Sequence, residues 1–458
     1  MPNLEFSQLP IKSDILSALS LLGYERMTPI QEAALPPILA ERDLIGQAKT
    51  GSGKTAAFAI GLLAKIDVTK HETQGLVLCP TRELSEQVCK EMRKIARLIP
   101  NVKITTLCGG NPMQAQEALL KHGVHCIVGT PGRVRDHIRK HNINLANIAT
   151  LVLDEADRML EMGFQDDITQ IVANTPKSRQ TLLFSATFPE NIESMSNNFQ
   201  KNAAMVKIDA DPSSLNIEHI LLEKTGYDNF ALVSAILGHY RPESTLVFCN
   251  TKQKCQELAS YLHHKGYHVQ DLHGDLEQRE RDEALVLFSN GSLSVLVATD
   301  VAARGLDIKD LSAVINFDMA HDADIHRHRV GRTGRAGRKG LAFSLVNSLE
   351  EKRLRSIEKV TCIKLDEKFF QPKEILTPKM ATLRISCGRT NKLRAGDILG
   401  ALTAHENLAG SDVGKIDICD THSFVAIAID KADLALRILN EGKIKGRSLK
   451  VARLNTRF

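Results

Sequence analysis

No stretch of eighteen consecutive apolar residues occurs anywhere in the 458-residue chain, so the sequence offers no membrane-spanning helix. The opening MPNLEFSQLP has neither a basic region nor an apolar one behind it, and no secretory signal is expected. CxxC pairs are also missing. The nine cysteines, at 79, 89, 108, 126, 249, 255, 362, 387 and 419, are scattered and odd in number, and several sit in apolar runs such as LVLCP and LVFCN. That pattern predicts buried reduced thiols in a cytoplasmic protein, and speaks against a zinc site. A large overall charge is lacking too, since the net is only +5. Its distribution is uneven. The last 83 residues, 376–458, hold 14 Lys and Arg against 8 Asp and Glu, whereas the rest holds 45 against 46 of the chain totals of 59 and 54. The basic surplus therefore lies wholly in a short C-terminal unit, which points to a polyanionic partner there.

What the chain does have is a repeated rhythm. Short β-branched apolar runs at 76–81, 126–130, 151–154 and 181–185, then at 245–250, 295–300 and 313–318, alternate with helical stretches. Continuous apolar strands ending in a polar residue suit a doubly wound parallel α/β sheet, covered on both faces, with ligands at the carboxyl ends of its strands. The runs also pair. LVLCPTR (76–82) resembles TLVFCNTK (245–252), CIVGTPGR (126–133) resembles VLVATDVA (295–302), and LVLD resembles VINFD. Thr81 and Thr251 are 170 residues apart, Thr130 and Thr299 are 169, and Asp154 and Asp318 are 164, which predicts a duplicated fold. The expected organisation is a first domain over 1–208, a linker at 209–216 (DADPSSLN), a second domain over 217–370, a proline-marked linker at 371–378, and a small domain over 379–458. In the last, strands at 382–387, 413–419, 422–430 and 449–454 and helices at 394–404 and 432–440 give a βαββαβ order.

The segment AKTGSGKT (48–55) follows an apolar segment at 43–46 and opens the helical run AAFAIGLLAKI. A strand, a glycine-rich loop and a helix in that order make a phosphate cradle from the backbone N–H groups of Ala48, Lys49, Thr50, Gly51, Ser52 and Gly53. Lys54 should reach the β- and γ-phosphates and Thr55 should bind Mg2+. The first glycine of the general pattern is Ala48 here. Asp154 and Glu155 follow the apolar run LVL. Both carboxylates could hold Mg2+ through water, and Glu155 is placed to deprotonate an attacking water. An acidic helix N-terminus with no chemistry explains the pair equally well alone, but not beside AKTGSGKT.

Further motifs stand in order along the chain: Phe6, Gly23 and Thr28-Pro29-Ile30-Gln31; PTREL (80–84); Gly109-Gly110; TPGR (130–133); DEAD (154–157); SAT (185–187); VFCNT (247–251); Gln278-Arg279; ATDVAARGLD (298–307); HRVGRTGR (328–335). This set resembles the DEAD-box family of ATP-dependent RNA helicases over residues 6–340. The resemblance implies two tandem RecA-like domains that use ATP and Mg2+. It places Phe6 on the adenine ring, Thr28 beside it, and Gln31 at the adenine edge, which an amide can read by donating and accepting together. It implies that Gly305 and Asp307 border the nucleotide, Asp307 near the ribose and the attacking water. Arg332 and Arg335 become arginine fingers, worth about 10³–10⁵ in rate in other NTPases. A nonspecific basic patch would explain the composition of that segment but not its GRxGR spacing. His328 would bridge to Asp157, Ser185 and Thr187. The RNA grip falls to Pro80, Thr81, Arg82, Gly109, Gly110, Thr130, Pro131, Gly132, Arg133, Gln278, Arg279, Thr299, Asp300 and Gly305, through phosphate and sugar contacts that carry no base information.

The tail resembles an RNA-recognition motif. Its third strand puts His422 and Phe424 at the two stacking positions while the first strand supplies none, so a weak stacking platform is expected. Basic residues are plentiful instead: Arg389, Lys392, Arg394, Lys443, Lys445, Arg447, Lys450 and Arg453. They predict a structured RNA held through phosphates and loops. Two helicase domains with such a tail resemble a bacterial subgroup that acts on a hairpin of 23S ribosomal RNA in pre-50S particles. The expectation is thus a cytoplasmic, monomeric, RNA-stimulated ATPase that unwinds short duplexes locally. The competing expectations are an ATP-gated RNA clamp that unwinds nothing and a DNA-directed translocase.

Overall fold

Strands buried on both faces set the architecture. In β2 (Gly75–Leu78) every residue is buried, yet Leu76 and Leu78 join one apolar cluster and Val77 joins another. Successive side chains leave a strand on opposite sides, so two clusters mean two covered faces. The computed structural model describes residues 5–48, 51–188, 190–208, 216–224, 226, 228–303, 310–334, 339–355, 360–362, 367–371 and 375–455. The chain divides into two units, with the break between Asp211 and Pro212.

The first unit is built on β1 (Leu44–Gln47), β2, β3 (Ile104–Leu107), β4 (Cys126–Gly129), β5 (Thr150–Asp154), β6 (Gln180–Ser185) and β7 (Ala204–Lys207). All pair in parallel in the order β3-β4-β2-β5-β6-β1-β7. The second unit carries β8 (Ile217–Glu223), β9 (Thr245–Cys249), β10 (Val269–Leu272), β11 (Val295–Thr299), β12 (Ala313–Asn316), β13 (Gly340–Val346) and β14 (Thr361–Cys362), in the order β10-β11-β9-β12-β13-β8-β14. Position for position the two orders are the same, as the paired sequence runs predict.

The sequence runs do not mark β3, β7, β8, β10, β13 or β14, most of which mix polar residues into the strand. β10 reads VQDL, and its Gln270 and Asp271 are buried polar side chains. β7 alternates between half-buried and exposed at the sheet edge.

The third sheet also lies in the second unit. β15 (Met380–Ile385), β16 (Val413–Ile418), β17 (Ser423–Ala428) and β18 (Val451–Leu454) pair antiparallel in the order β16-β17-β15-β18. Helices Ala395–Thr403 and Ala432–Glu441 cover one face, where Leu383, Ile385, Val425, Ile427, Ile398 and Leu439 form its core. The opposite face is buried as well. Thr382 and Ala426 are fully buried and Phe424 is 1% exposed. The helix Gln278–Ser289 and the loop after it lie against this face. The Thr382 hydroxyl is 2.8 Å from both Asn290 Nδ2 and Ser292 Oγ, Lys415 donates to Ser289 Oγ at 3.1 Å, and Arg384 is 3.8 Å from Glu283. Phe424 meets His422 edge-on at 4.9 Å, and burial together with Arg384 lowers the His422 pKa. The expected weak stacking platform is thus corrected: this face is a docking surface, and the Phe424 ring is not open to a base.

Candidate functional site

The carboxyl ends of the first sheet divide in two. On β1, β5 and β6, which are neighbours, they lead into Ala48, Glu155 and Ala186; on β2, β4 and β3, also neighbours, they lead into Cys79-Pro80-Thr81, Thr130 and Cys108-Gly109. The parallel order therefore gathers the phosphate loop, DEAD and SAT at one part of the edge, and PTREL, the glycine pair and TPGR at the other.

In the first group the loop turns on two glycines in the left-handed region, Gly51 (φ +85°) and Gly53 (φ +97°), and the helix Lys54–Lys65 starts from it. A Cβ on Gly53 would stand 2.6 Å from Gln31 Nε2 and 2.8 Å from Thr28 Oγ1, so both conformation and space require glycine there. Gln31, 1% exposed, accepts from the Thr28 N–H at 2.9 Å and donates to the Gly53 carbonyl at 3.2 Å, which fastens its segment to the loop. Phe6 is buried, edge-on to Tyr24 at 6.3 Å, in the same apolar cluster as Ile30. Lys54 is buried and its ammonium donates to the Ala48 carbonyl at 2.7 Å. Ala48 in turn donates its N–H to the Ser185 carbonyl at 3.1 Å. Lys49 and Thr50 lie outside the described residues. Ser52 and Thr55 are partly buried at the loop and the first helical turn.

Asp154 ends β5 and is 3% exposed. Burial pushes its pKa up to about 7, against the pull of Lys54 and with help from Glu155. Such a carboxyl needs a cation to ionise fully, and together with the Thr55 hydroxyl it fits a hard divalent ion. Glu155 has φ +52° and ψ +52°, a left-handed conformation unusual for its residue type. Asp157 is buried, which works to raise its pKa, but Thr187 donates to Oδ2 through its N–H at 3.0 Å and its hydroxyl at 2.9 Å, and Arg158 lies close. The result is a carboxylate held below its usual range. Ser185 is buried, and its hydroxyl has no partner among the described residues. Asp157 and Thr187 are thus brought together, and Ser185 is joined to the loop through its backbone.

In the second group Thr81 caps the helix Arg82–Ile95, its hydroxyl accepting from the Leu84 N–H at 3.2 Å. Pro80 is buried beside it, and Arg82 pairs with Glu86 at 2.8 Å. Gly109 and Gly110 are exposed, and Gly110 has φ +80°. Thr130 precedes the helix Pro131–Arg139, with Pro131, Gly132 and Arg133 in its first turn. The Arg133 guanidinium donates to the Asn111 carbonyl at 2.9 Å.

In the second unit Gln278 and Arg279 open the helix Gln278–Ser289, and Arg279 pairs with Glu283 at 3.0 Å. Thr299 ends β11. Asp300, expected to touch RNA, takes Arg329 Nε at 2.7 Å and Nη2 at 2.6 Å on its two oxygens and stays partly exposed. Arg329, 2% exposed, also donates to Asn250 Oδ1 at 2.9 Å and the Asp318 carbonyl at 2.6 Å, and lies over Phe248 at 5.1 Å. It ties together the ends of β9, β11 and β12. Sequence reasoning passed over it, although its place inside HRVGRTGR was the available signal. His328 is on the helix Ala323–Val330 and Arg332 follows that helix, both partly buried. Gly305, Asp307 and Arg335 lie outside the described residues. In the tail, Arg389, Lys392, Arg394, Lys443, Lys445, Arg447 and Lys450 are all exposed. Lys445 donates to the Lys392 carbonyl at 2.7 Å, so the loops around 389–394 and 443–447 adjoin.

Residues 28–195 match the family described as DEAD/DEAH box helicase, 228–337 the helicase conserved C-terminal domain, and 382–453 the DbpA RNA binding domain. The chain is 49% identical to the ATP-dependent RNA helicase DbpA of Escherichia coli (strain K12), over 95% of this chain and 96% of that one. It is 36% identical to the protein of the same description from Bacillus subtilis (strain 168), over 98% and 99%. The solved structure of S. cerevisiae Dbp5 bound to RNA and ADP BeF3 is similar with a TM-score of 0.71 and 30% identity, over 78% of this chain and 95% of that one. The phosphate loop, the DEAD carboxylates and the duplicated sheet accordingly mark the chain as a member of the DEAD-box family of ATP-dependent RNA helicases, with a DbpA-type RNA-binding domain at its C-terminal end.

Proposed function

We propose that this enzyme hydrolyses ATP to open short duplexes around a hairpin of 23S ribosomal RNA in pre-50S particles, as a cytoplasmic monomer. The observation that carries the reading is the match of residues 382–453 to the DbpA RNA binding domain, in a chain that also matches both helicase domains. ATP binds through Ala48–Thr55, with Phe6, Thr28 and Gln31 around the adenine and Lys54 on the β- and γ-phosphates. Thr55, Asp154 and Glu155 would hold Mg2+, which neutralises phosphate charge when bound. Glu155 takes the proton of the attacking water. Arg332 and Arg335 offer planar donor forks to the γ-phosphate once ATP and RNA have brought the units together, with Asp307 near the ribose. The Asp157 carboxylate fixes Thr187, so that His328 can meet both when the phosphate is in place.

RNA binding is divided by chemistry. The core grips phosphates and sugars without regard to sequence. The tail chooses the RNA through its exposed basic loops, Arg389, Lys392, Arg394, Lys443, Lys445 and Arg447, because its sheet face is covered. The test is ATPase stimulation by a 23S hairpin fragment compared with an unrelated hairpin of equal length, at fixed salt. Much stronger stimulation by the 23S fragment than by the unrelated hairpin supports the reading. Equal stimulation by both would remove the ribosomal target while leaving an RNA-dependent ATPase.

A further inference from the structure

The glycine pair and TPGR of the first unit are separate in sequence, yet one buried side chain joins them. Gln116, on the helix Met113–Leu120, is 3% exposed. Its Nε2 donates to the carbonyl of Cys108 at 2.8 Å, the residue just before Gly109-Gly110. Its Oε1 accepts from Arg133 Nη1 at 3.0 Å. That same Nη1 donates to the carbonyl of Asn111 at 2.9 Å, the residue just after the glycines. The pair is therefore held at both ends by two side chains that are bonded to each other.

The orientation of every group in this cluster follows from its neighbours. Glu117 presents an acceptor to Asn142 Nδ2 at 3.0 Å, so that nitrogen is a donor. It lies 3.2 Å from His137 Nδ1, which therefore accepts. His137 Nε2 then carries the proton and donates to Gln116 Oε1 at 2.8 Å. His137 is fully buried, and burial with Arg133 nearby lowers its pKa, in keeping with a neutral ring. Nothing in the set is left mismatched, and a buried amide bonded through both its oxygen and its nitrogen holds one geometry.

The glycines themselves show what that geometry serves. A Cβ on Gly109 would meet nothing within 4 Å, so packing does not demand glycine there. A bare backbone at the sheet's carboxyl edge is what close approach of another chain's phosphates requires.

We infer that Gln116 is a positioning residue for RNA binding: with Arg133 it braces Gly109-Gly110 so that the backbone of that turn meets the RNA strand. The inference rests on the reading of these segments as RNA contacts. It also gives Arg133 an inward, bracing part. The prediction separates binding of RNA from binding of ATP, because the brace lies on the β3 and β4 side of the edge and the phosphate loop on the β1 side.

The test uses the full chain and polyuridylate in a steady-state ATPase assay. Gln116→Leu should raise the KM for polyuridylate about five- to tenfold, from one lost buried hydrogen-bond set, with the KM for ATP unmoved. Gln116→Glu keeps the shape and both accepted bonds but sets a carboxylate oxygen against the Cys108 carbonyl in place of the donor, so it should raise the RNA KM as well. Arg133→Met in the Gln116→Leu background should add nothing beyond the worse single variant, because one brace can be removed only once. An unchanged RNA KM in Gln116→Glu, a parallel rise in the KM for ATP, or multiplicative effects in the double variant would each overturn the inference. Absence of stimulation of the wild-type chain by either polyuridylate or the 23S fragment would overturn the functional reading and this inference with it, whereas stimulation that Gln116 variants leave untouched overturns this inference alone.

Discussion

Glu155 is held in a left-handed backbone conformation directly after the buried Asp154. Strain of that kind, on the order of 1–3 kcal/mol, persists where the surrounding structure fixes it. Glu155→Gln keeps the shape and removes the base, so turnover should vanish while ATP affinity stays within about twofold; kcat near the wild-type value would dismiss the assigned role. Asp154 gives a second prediction. Its folded pKa, about 7, lies above the ordinary 3.8, so the folded chain holds a proton that the unfolded chain has released. The associated stability is present in acid and is lost as pH rises through 7. Without nucleotide, the wild type should therefore fall in Tm relative to Asp154→Asn between pH 5 and pH 8, by a few degrees. Parallel melting curves across that range would show that the buried carboxyl is compensated. At this scale the sequence was most legible where a motif names its residues. It was silent on Arg329 and Gln116, because partners 11 to 79 residues away along the chain define the first and a carbonyl defines much of the second.

Elements carry their own constraints. The phosphate loop turns at Gly53 because a side chain there would run into Gln31 and Thr28. Gly53→Ala should reduce ATP affinity about five- to thirtyfold, read by equilibrium titration with a labelled nucleotide, since the turn must deform by about 1–2 kcal/mol before phosphate can enter. The ends of β9, β11 and β12 depend on Arg329 instead. Arg329→Met leaves the partly buried Asp300 without its cation and should cost about 2–4 kcal/mol, seen as a lower denaturation midpoint; Asp300→Asn should cost less, because the guanidinium keeps Asn250 and the Asp318 carbonyl. A larger loss in Asp300→Asn would mean that the carboxylate has a further role. Most strands with unbroken apolar runs were readable from sequence. β3, β8 and β10 were not, since polar residues such as the buried Gln270 and Asp271 interrupt the apolar pattern that marks a strand, and neither were β7, β13 and β14.

At the scale of the molecule, the near-constant offsets between paired motifs foretold one strand order used twice. The burial of the third sheet's outer face was not legible. Thr382, Phe424 and Ala426 look like ordinary strand residues, and only the docked helix Gln278–Ser289 shows what they meet. Deleting residues 376–458 should abolish the preference for one RNA and leave weak ATPase stimulation by any RNA, compared at one salt concentration. Undiminished selectivity in the truncated enzyme would move the choice of target into the core.

That docked face has a mechanical consequence. Whatever RNA the tail clasps is carried by the second unit as luggage is carried by a handle, not trailed on a loose tether. A shift of that unit during the ATP cycle would therefore be delivered to the clasped hairpin undamped, as a tug on the strand that leads away from it.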